Sequence, residues 1–324
     1  MSHPETGASV TPDDAQLLLT KPTPIDPGYA GNVDLDVKAG HVAAEVQVTK
    51  RRRRRKRDIG AAVGVIWLAL IVAAAVFADL FPLPSPSEIT DSYSLEPFKN
   101  AAHVLGTDEI GRDQLSRVIY GARVSLAVAI GATLIALVTG TAIGIVAGYF
   151  RGALDTTFDI GTSMILAFPP LILLIALVAV MEPSATTLAV GLGIVGAPTF
   201  VRIARANTIS FANREFVTAA KSMGASSIRI ILREILPNVL LPVFSFATVV
   251  AAGLVVAEGS LSFLGLGIPP PAPSWGGMIA AGRESLYEAP YLVLVPGMFF
   301  FLTVFSLNRV GDWARGRVGR ESSL

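Results

Sequence analysis

The residue types that usually carry chemistry are sparse and poorly placed in this sequence. Three histidines, His3, His41 and His103, are scattered over 324 residues, and there is no cysteine. A protein metal site needs such ligands clustered, so no metal centre and no disulfide is expected. Gly191-Leu192-Gly193-Ile194-Val195-Gly196 fits the dinucleotide pattern G-x-G-x-x-G, but it lies inside an apolar run without the strand that the phosphate-binding turn requires. No Walker A sequence occurs, so a P-loop for ATP is not expected. The chain thus reads as a non-catalytic one, with no cofactor of its own. What remains is recognition chemistry, and it is concentrated between residues 213 and 237. Phe216, Ala219, Ala220 and Met223 fall at i, i+3, i+4 and i+7, and Ile228, Ile231, Leu232 and Ile235 repeat that spacing. Two short helices, each with an apolar and a basic face, fit this pattern. Gly224 can end the first in a left-handed conformation, and Ser226 or Ser227 can cap the second. A projecting hairpin with an apolar stripe fits a groove on a partner. The alternative is that it packs back onto its own chain.

The elements that must position this hairpin are strongly apolar. The chain is 52% hydrophobic and only 16% charged, against roughly 25% charged in soluble proteins. Six long runs carry almost no charge: Ile59–Leu80, Val124–Phe150, Ile160–Met181, Ser184–Val201, Ile235–Ala257 and Ala289–Asn308. Each is close to the roughly 20 residues needed to cross a bilayer core, and a backbone in lipid must satisfy itself as a helix. The spacing predicts an all-α membrane protein of six transmembrane helices. Lysine and arginine placement orients it. Arg51–Arg57 precede the first span as an unbroken basic run, which also favours anionic lipid. Arg202, Arg205, Arg214, Lys221, Arg229 and Arg233 lie between the fourth and fifth spans, and Arg309, Arg315, Arg317 and Arg320 follow the sixth. Both termini and the hairpin are therefore expected in the cytoplasm. Residues 82–123, with six acids and four bases, are expected outside.

The organisation expected is a disordered cytoplasmic tail over 1–50, and a basic anchor, first span and outer loop over 51–102. A five-helix core with its inner loop at 213–237 follows over 103–315, then a cytoplasmic tail over 316–324. Leu261–Glu288 is Gly- and Pro-rich and reads as an outer loop that lines a cavity or dips into the membrane. Gly140, Gly144 and Gly148 put a flat stripe on the second span, for either a moving or a static helix contact. Prolines 169, 170, 198, 242 and 296 fall in or near spans and can kink them. Charges inside spans are nearly absent, so an ion-coupled secondary transporter lacks its coupling site. Any pumping must draw energy from elsewhere. The net charge of +1 gives no reason to expect nucleic acid as a partner.

Glu215 to Gly224 and Ala225 to Pro237 resemble the coupling loop of ABC-importer permeases, whose pattern is E-A-A, three residues, G, nine residues, I-x-L-P. Ala219, Ala220, Gly224, Leu236 and Pro237 match at the right spacing. Thr218 stands in place of the Glu and Glu234 in place of the Ile, with Glu215 one turn earlier as a substitute acid. His103–Arg123, Glu258–Gly267 and Ser274-Trp275-Gly276 are similar to segments of the dipeptide/oligopeptide/nickel permeases, and the span count and long first loop point to the C-type subunit. The resemblance implies a type I importer permease fold with cytoplasmic coupling helices in the cell membrane. It also implies a homologous second permease, two cytoplasmic ATPase subunits that hold ATP and Mg, and an extracellular substrate-binding protein. Di- or oligopeptides are the substrate class it favours. Nickel, a metal chelate, haem or another small solute is the alternative within the family, and a self-contained channel or secondary transporter the alternative outside it.

Overall fold

The computed structural model describes residues 59–321. The expected tail 1–50, the basic run Arg51–Arg57 and residues 322–324 lie outside the described residues. Helices dominate and no named strand occurs among the described residues. Helix α1 is Ile59–Val76, α2 Gln114–Phe150, α3 Gly152–Ala167, α4 Pro170–Val180 and α5 Ala185–Ala212. Helix α6 is Glu215–Ser222, α7 Ser227–Ile230, α8 Leu236–Phe263, α9 Trp275–Ala281 and α10 Tyr291–Glu321. Five continuous helical stretches are long and apolar enough to cross a membrane: α1, α2, α5, Ser227–Phe263 and α10.

The third expected span is not one rod. Helices α3 and α4 meet at an angle of 88°. Phe168 and Pro169 are both extended there, with ψ of 138° and 126°. The cause is local. A proline disfavours helical backbone at the residue before it, and Pro169-Pro170 applies that twice in succession. Counted as one bent span, the pair completes the expected six.

Two helices outrun the apolar runs that announced them. Helix α2 begins ten residues ahead of Val124, where the Asp113 carboxylate accepts from Ser116 N at 2.7 Å and pairs with His103 Nδ1 at 2.9 Å. At 1.5 Å per residue it is about 55 Å long, well beyond a hydrocarbon core of about 30 Å. Helix α5 continues past Val201 to Ala212, carrying Arg202 and Arg205 with it. Helix α10 likewise runs through 316–321, the stretch assigned above to a tail.

The glycine stripe packs α2 directly on α5. A Cβ on Gly140 would come within 2.6 Å of Ala197 O, and one on Gly144 within 2.6 Å of Val201 O. Backbone touching backbone along three turns fits a fixed seam better than a sliding one, because any larger side chain would force the helices apart. The pair is in close backbone contact along this stripe.

Helix α1 is anchored at its last turn. Arg123 donates from Nε to Ala75 O at 2.8 Å and from Nη2 to Asp79 at 2.9 Å, satisfying a carbonyl that the ending helix leaves open. The Arg123 hydrogen bond, with help from Tyr120, holds the exposed Asp79 carboxyl below the usual carboxylate range. Residues 82–113 are irregular but well tied. Ser116 Oγ donates to Pro84 O, Arg117 Nη1 to Pro86 O and Arg112 Nε to Asp108, so the turns of this segment close on the first helical turns of α2.

Candidate functional site

The 213–237 segment folds as the two-helix hairpin its spacing predicts, though its second arm is not a separate helix. Helix α6 ends at Gly224, whose φ of +76° is the left-handed conformation expected. Ala225 N donates to Ala220 O at 3.1 Å and Gly224 N to Lys221 O at 2.9 Å. This is the double bond pattern that closes a helix through a glycine. Ser226, rather than Ser227, caps the next helix, its hydroxyl accepting from Arg229 N at 3.4 Å. Helix α7 then widens into a π turn over Ile231–Ile235 and enters α8 without a break. Pro237 explains the widening. It has no N–H to offer Arg233 O, and a π turn lengthens the bonding register where the α-ladder loses a rung. The hairpin's second arm thus opens the continuous helical stretch Ser227–Phe263, which at 37 residues is longer than a membrane crossing requires.

One apolar face turns inward. Val217, Ala220, Ile230 and Ile235 are buried, together with Phe200 and Ala204 of α5, Ile145 of α2 and Val239 of α8. This corrects the stripe inferred from spacing, which grouped Ala220 with Phe216, Ala219 and Met223. Helix α6 has apolar residues on two adjacent sides. The Val217–Ala220 side is the one that meets the bundle. The other side stays open: Phe216 is 39% exposed, Met223 81%, Ile228 70% and Leu232 56%. Ala219 is exposed beside them. Among the described residues these four large apolar side chains of one short hairpin are largely uncovered.

Of the residues singled out in the sequence, Glu215, Thr218, Ala219 and Gly224 are exposed on the hairpin. Ala220 is buried against the bundle, Leu236 is half-buried, and Pro237 is exposed at the start of α8. Glu215 and Thr218 are three residues apart in the same short helix, hence on one face. Glu215 also lies in the first turn, where a carboxylate complements the helix dipole. Polar ties fix the hairpin's base. Arg151 Nη2 donates to Asn213 Oδ1 at 3.2 Å, and the Lys221 ammonium lies 5.5 Å from the Tyr149 ring centre. Beside them Arg205 of α5 grips Asp155 of α3 with two hydrogen bonds, Nη2 to Oδ2 at 2.8 Å.

Three residues escaped the sequence reading. Val217 and Ile230 are the inward anchors, and only their pairing with Ala220 and Ile235 at spacings of three and five hinted at it. Glu258 fell between the charge-free run ending at Ala257 and the outer loop beginning at Leu261, yet it lies inside α8 and is fully buried. Among the described residues, no group of three or more His, Asp or Glu is placed to hold a metal ion.

Comparison with known proteins places this architecture. Residues 140–320 match the model of the family described as binding-protein-dependent transport system inner membrane component. The dipeptide transport system permease protein DppC of Alkalihalophilus pseudofirmus is 38% identical over 263 residues, covering 81% of this chain and 86% of the relative. The glutathione transport system permease protein GsiD of Pectobacterium atrosepticum is 34% identical, covering 82% and 87%. Among solved structures, the inward-facing MetNI methionine ABC transporter aligns over 62% of this chain and 96% of that one, with a TM-score of 0.53 and 18% identity. That likeness speaks to the fold, a type I importer permease. On the family match and these identities, the chain belongs to the binding-protein-dependent transport system inner membrane components, the permease subunits of ABC importers.

Proposed function

We infer that this chain forms half of the translocation path of an ATP-driven importer of di- or oligopeptides, beside a homologous second permease. The observation that carries the coupling part is the open apolar strip of Phe216, Met223, Ile228 and Leu232 on a hairpin whose other face is welded to α2, α5 and α8. A cytoplasmic ATPase subunit seats that strip in a groove, with two such subunits per importer, and ATP and Mg sit in those subunits. Gly224 sets the bend that presents the strip. Nucleotide-driven closure of the ATPases moves the hairpin. Because Val217, Ala220 and Ile235 belong to one core with Phe200 and Ala204, the motion passes into the α2–α5 pair and into α8. Both termini are cytoplasmic in this reading, and an extracellular binding protein delivers substrate at the opposite end.

The peptide assignment rests on the relatives' activities together with the near-absence of charge in the spans. A path for peptides of varied side chain has to be roomy and free of strong fixed charges. Co-purification tests the coupling part. The wild-type chain, expressed with its ATPase genes, should retain the ATPase through detergent extraction. The Met223→Asp, Ile228→Asp double variant should lose it while remaining in the membrane. Equal retention by both chains would refute the docking role. For the substrate, exchanging the binding protein while keeping this chain should change which dipeptides enter; an unchanged range would refute a selectivity lodged in the binding protein.

A further inference from the structure

A groove of about 330 Å³ opens where α8, α9 and α10 meet, walled by Val256, Gly259, Phe263, Gly276, Ile279 and Phe300. The one polar side chain in its lining, Ser260, is already engaged, its hydroxyl donating to Val256 O at 2.8 Å. The docking mechanism leaves this groove unused. One wall belongs to the hairpin of residues 264–290, which has α9 at its centre. Trp275 ties that hairpin to α2, donating from Nε1 to Val118 O at 3.0 Å and from its backbone N–H to Ser125 Oγ at 3.3 Å. On α8, Gly276 lies directly against Gly259 and Ser262.

Two contacts with α10 give the groove a direction. Gly282 lies against Leu292, in the first turn of α10, whereas Gly259 lies against Phe300, in the middle of the apolar run Ala289–Asn308. At 1.5 Å per residue, the stretch from Leu292 to Phe300 descends about 12 Å. The groove therefore deepens from the end of a span towards its centre, as an acyl chain does below its headgroup. A cation stands at the shallow end. Arg283 follows Gly282 and is exposed, with its guanidinium 5.8 Å from the centre of the Phe263 ring, one of the walls. Among the described residues that guanidinium has no ion pair and no hydrogen bond. A guanidinium is weakly hydrated and matches the geometry of a phosphate. Tyr287, 98% exposed, follows in the same turn-rich stretch, and such rings collect at headgroup level.

We propose that this groove is a binding site for one phospholipid, with an acyl chain between α8, α9 and α10 and the phosphate on Arg283. The local charge selects the headgroup. Residues 282–290 carry Arg283 against two exposed acids, Glu284 and Glu288. A headgroup of net negative charge meets repulsion there, whereas a zwitterionic one offers its phosphate to the arginine and its ammonium to the acids. The occupant is therefore a zwitterionic lipid of the phosphatidylethanolamine type. The site depends on the membrane-crossing helices and on no property of the transported solute. It adds a fixed lipid to a chain otherwise bathed in exchanging ones.

The test uses the complete importer, with its second permease, ATPases and binding protein, in vesicles that contain a trace of phosphatidylethanolamine with a photoreactive diazirine midway along one acyl chain. After illumination, mass spectrometry of the digested chain should find the label concentrated on Val256–Leu264 and Ile279. Arg283→Ala should lower labelling there about tenfold, the factor for losing one charge-assisted hydrogen bond, and leave labelling of α1 unchanged. Arg283→Lys, still cationic, should keep most of it. Ser260→Trp, which fills the groove, should abolish it. Arg283 touches only one ring, so its removal leaves the melting temperature in place and decides the matter even where the tryptophan variant misfolds. A matched phosphatidylglycerol probe should label the groove less. Equal labelling of the parent and Arg283→Ala chains would mean ordinary bilayer contact only and overturn the proposal. Labelling present in this permease alone but shielded in the complete importer would give the groove to the second permease and overturn it equally. Stronger labelling by phosphatidylglycerol would overturn the headgroup assignment. The labelling needs no transport, so an importer that takes up no dipeptide would sink the substrate reading while the labels still decide this one.

Discussion

Helix α8 carries a hairpin at each end, and the two differ in the mix of contacts that holds them. The 213–237 hairpin is fixed by apolar burial of Val217, Ala220, Ile230 and Ile235, and it leaves Phe216, Met223, Ile228 and Leu232 uncovered. The 264–290 hairpin is fixed by hydrogen bonds from Trp275 to Val118 and Ser125, by close backbone contact at Gly276 and by burial of the Trp275 ring among Ile71, Ala75, Ala122 and Leu126, while Tyr287 is left exposed. Apolar contact tolerates small shifts without losing much, and it transmits load through a dense core.

That contrast is open to attack by substitution. The largest effect is expected at Trp275. Trp275→Ala empties a fully buried site and should cost about 3–5 kcal/mol of stability, read as a lower melting temperature of the detergent-solubilised chain. A loss under 1 kcal/mol would mean the second hairpin is not seated as described. Next comes Gly224→Val. A β-branched residue in the left-handed conformation costs about 1–2 kcal/mol or more, and nothing else crowds the site. The chain should still assemble, but ATP hydrolysis should uncouple from uptake. Full uptake with normal ATPase stimulation would show the bend to be irrelevant.

A smaller effect on the chain itself is expected on the open strip. Ile228→Ser should change the chain's own stability by less than about 0.5 kcal/mol, as surface substitutions do. It should nonetheless weaken ATPase binding several-fold in a titration. A large stability loss would place Ile228 in this chain's own core and erase the contrast between the hairpins. The smallest effect is expected at the far end of α1. Asp79 is exposed, and its lowered carboxyl means that its pairing with Arg123 stabilises the fold above the ordinary carboxylate range and is lost as pH falls through the lowered value. Asp79→Asn should change thermal stability little at neutral pH and should flatten its decline in acid. An unchanged acid profile would remove this pair from the account of α1.

Much of this was legible in the sequence, because the bilayer makes apolar length informative. Each of the six charge-free runs corresponds to a helix or a bent helix pair. Gly224 and the spacings around it located the 213–237 hairpin and its turn. The misses have physical causes. Hydropathy detects lipid-facing length rather than helix length, so the extensions of α2 before Val124 and of α5 past Val201 went unseen. In α6, apolar residues on adjacent sides left the inward face undecided until Phe200 and Ala204 were seen to claim Val217 and Ala220. The prolines at 169 and 170 signalled a kink, but an 88° turn depends on two successive extended residues that no single-residue preference specifies. Glu258 was missed because a charge just past the end of an apolar run gives no sign that the helix continues beyond it.

The most direct test of the coupling claim is a protection measurement at Met223. Met223→Cys gives this cysteine-free chain a single thiol on the open strip. In inverted vesicles containing the permeases alone, an impermeant maleimide should label it fully, and addition of the ATPase subunits should shield it. Labelling from the opposite side of the membrane, or labelling that the ATPases leave unchanged, would contradict the claim that this hairpin receives the ATPase.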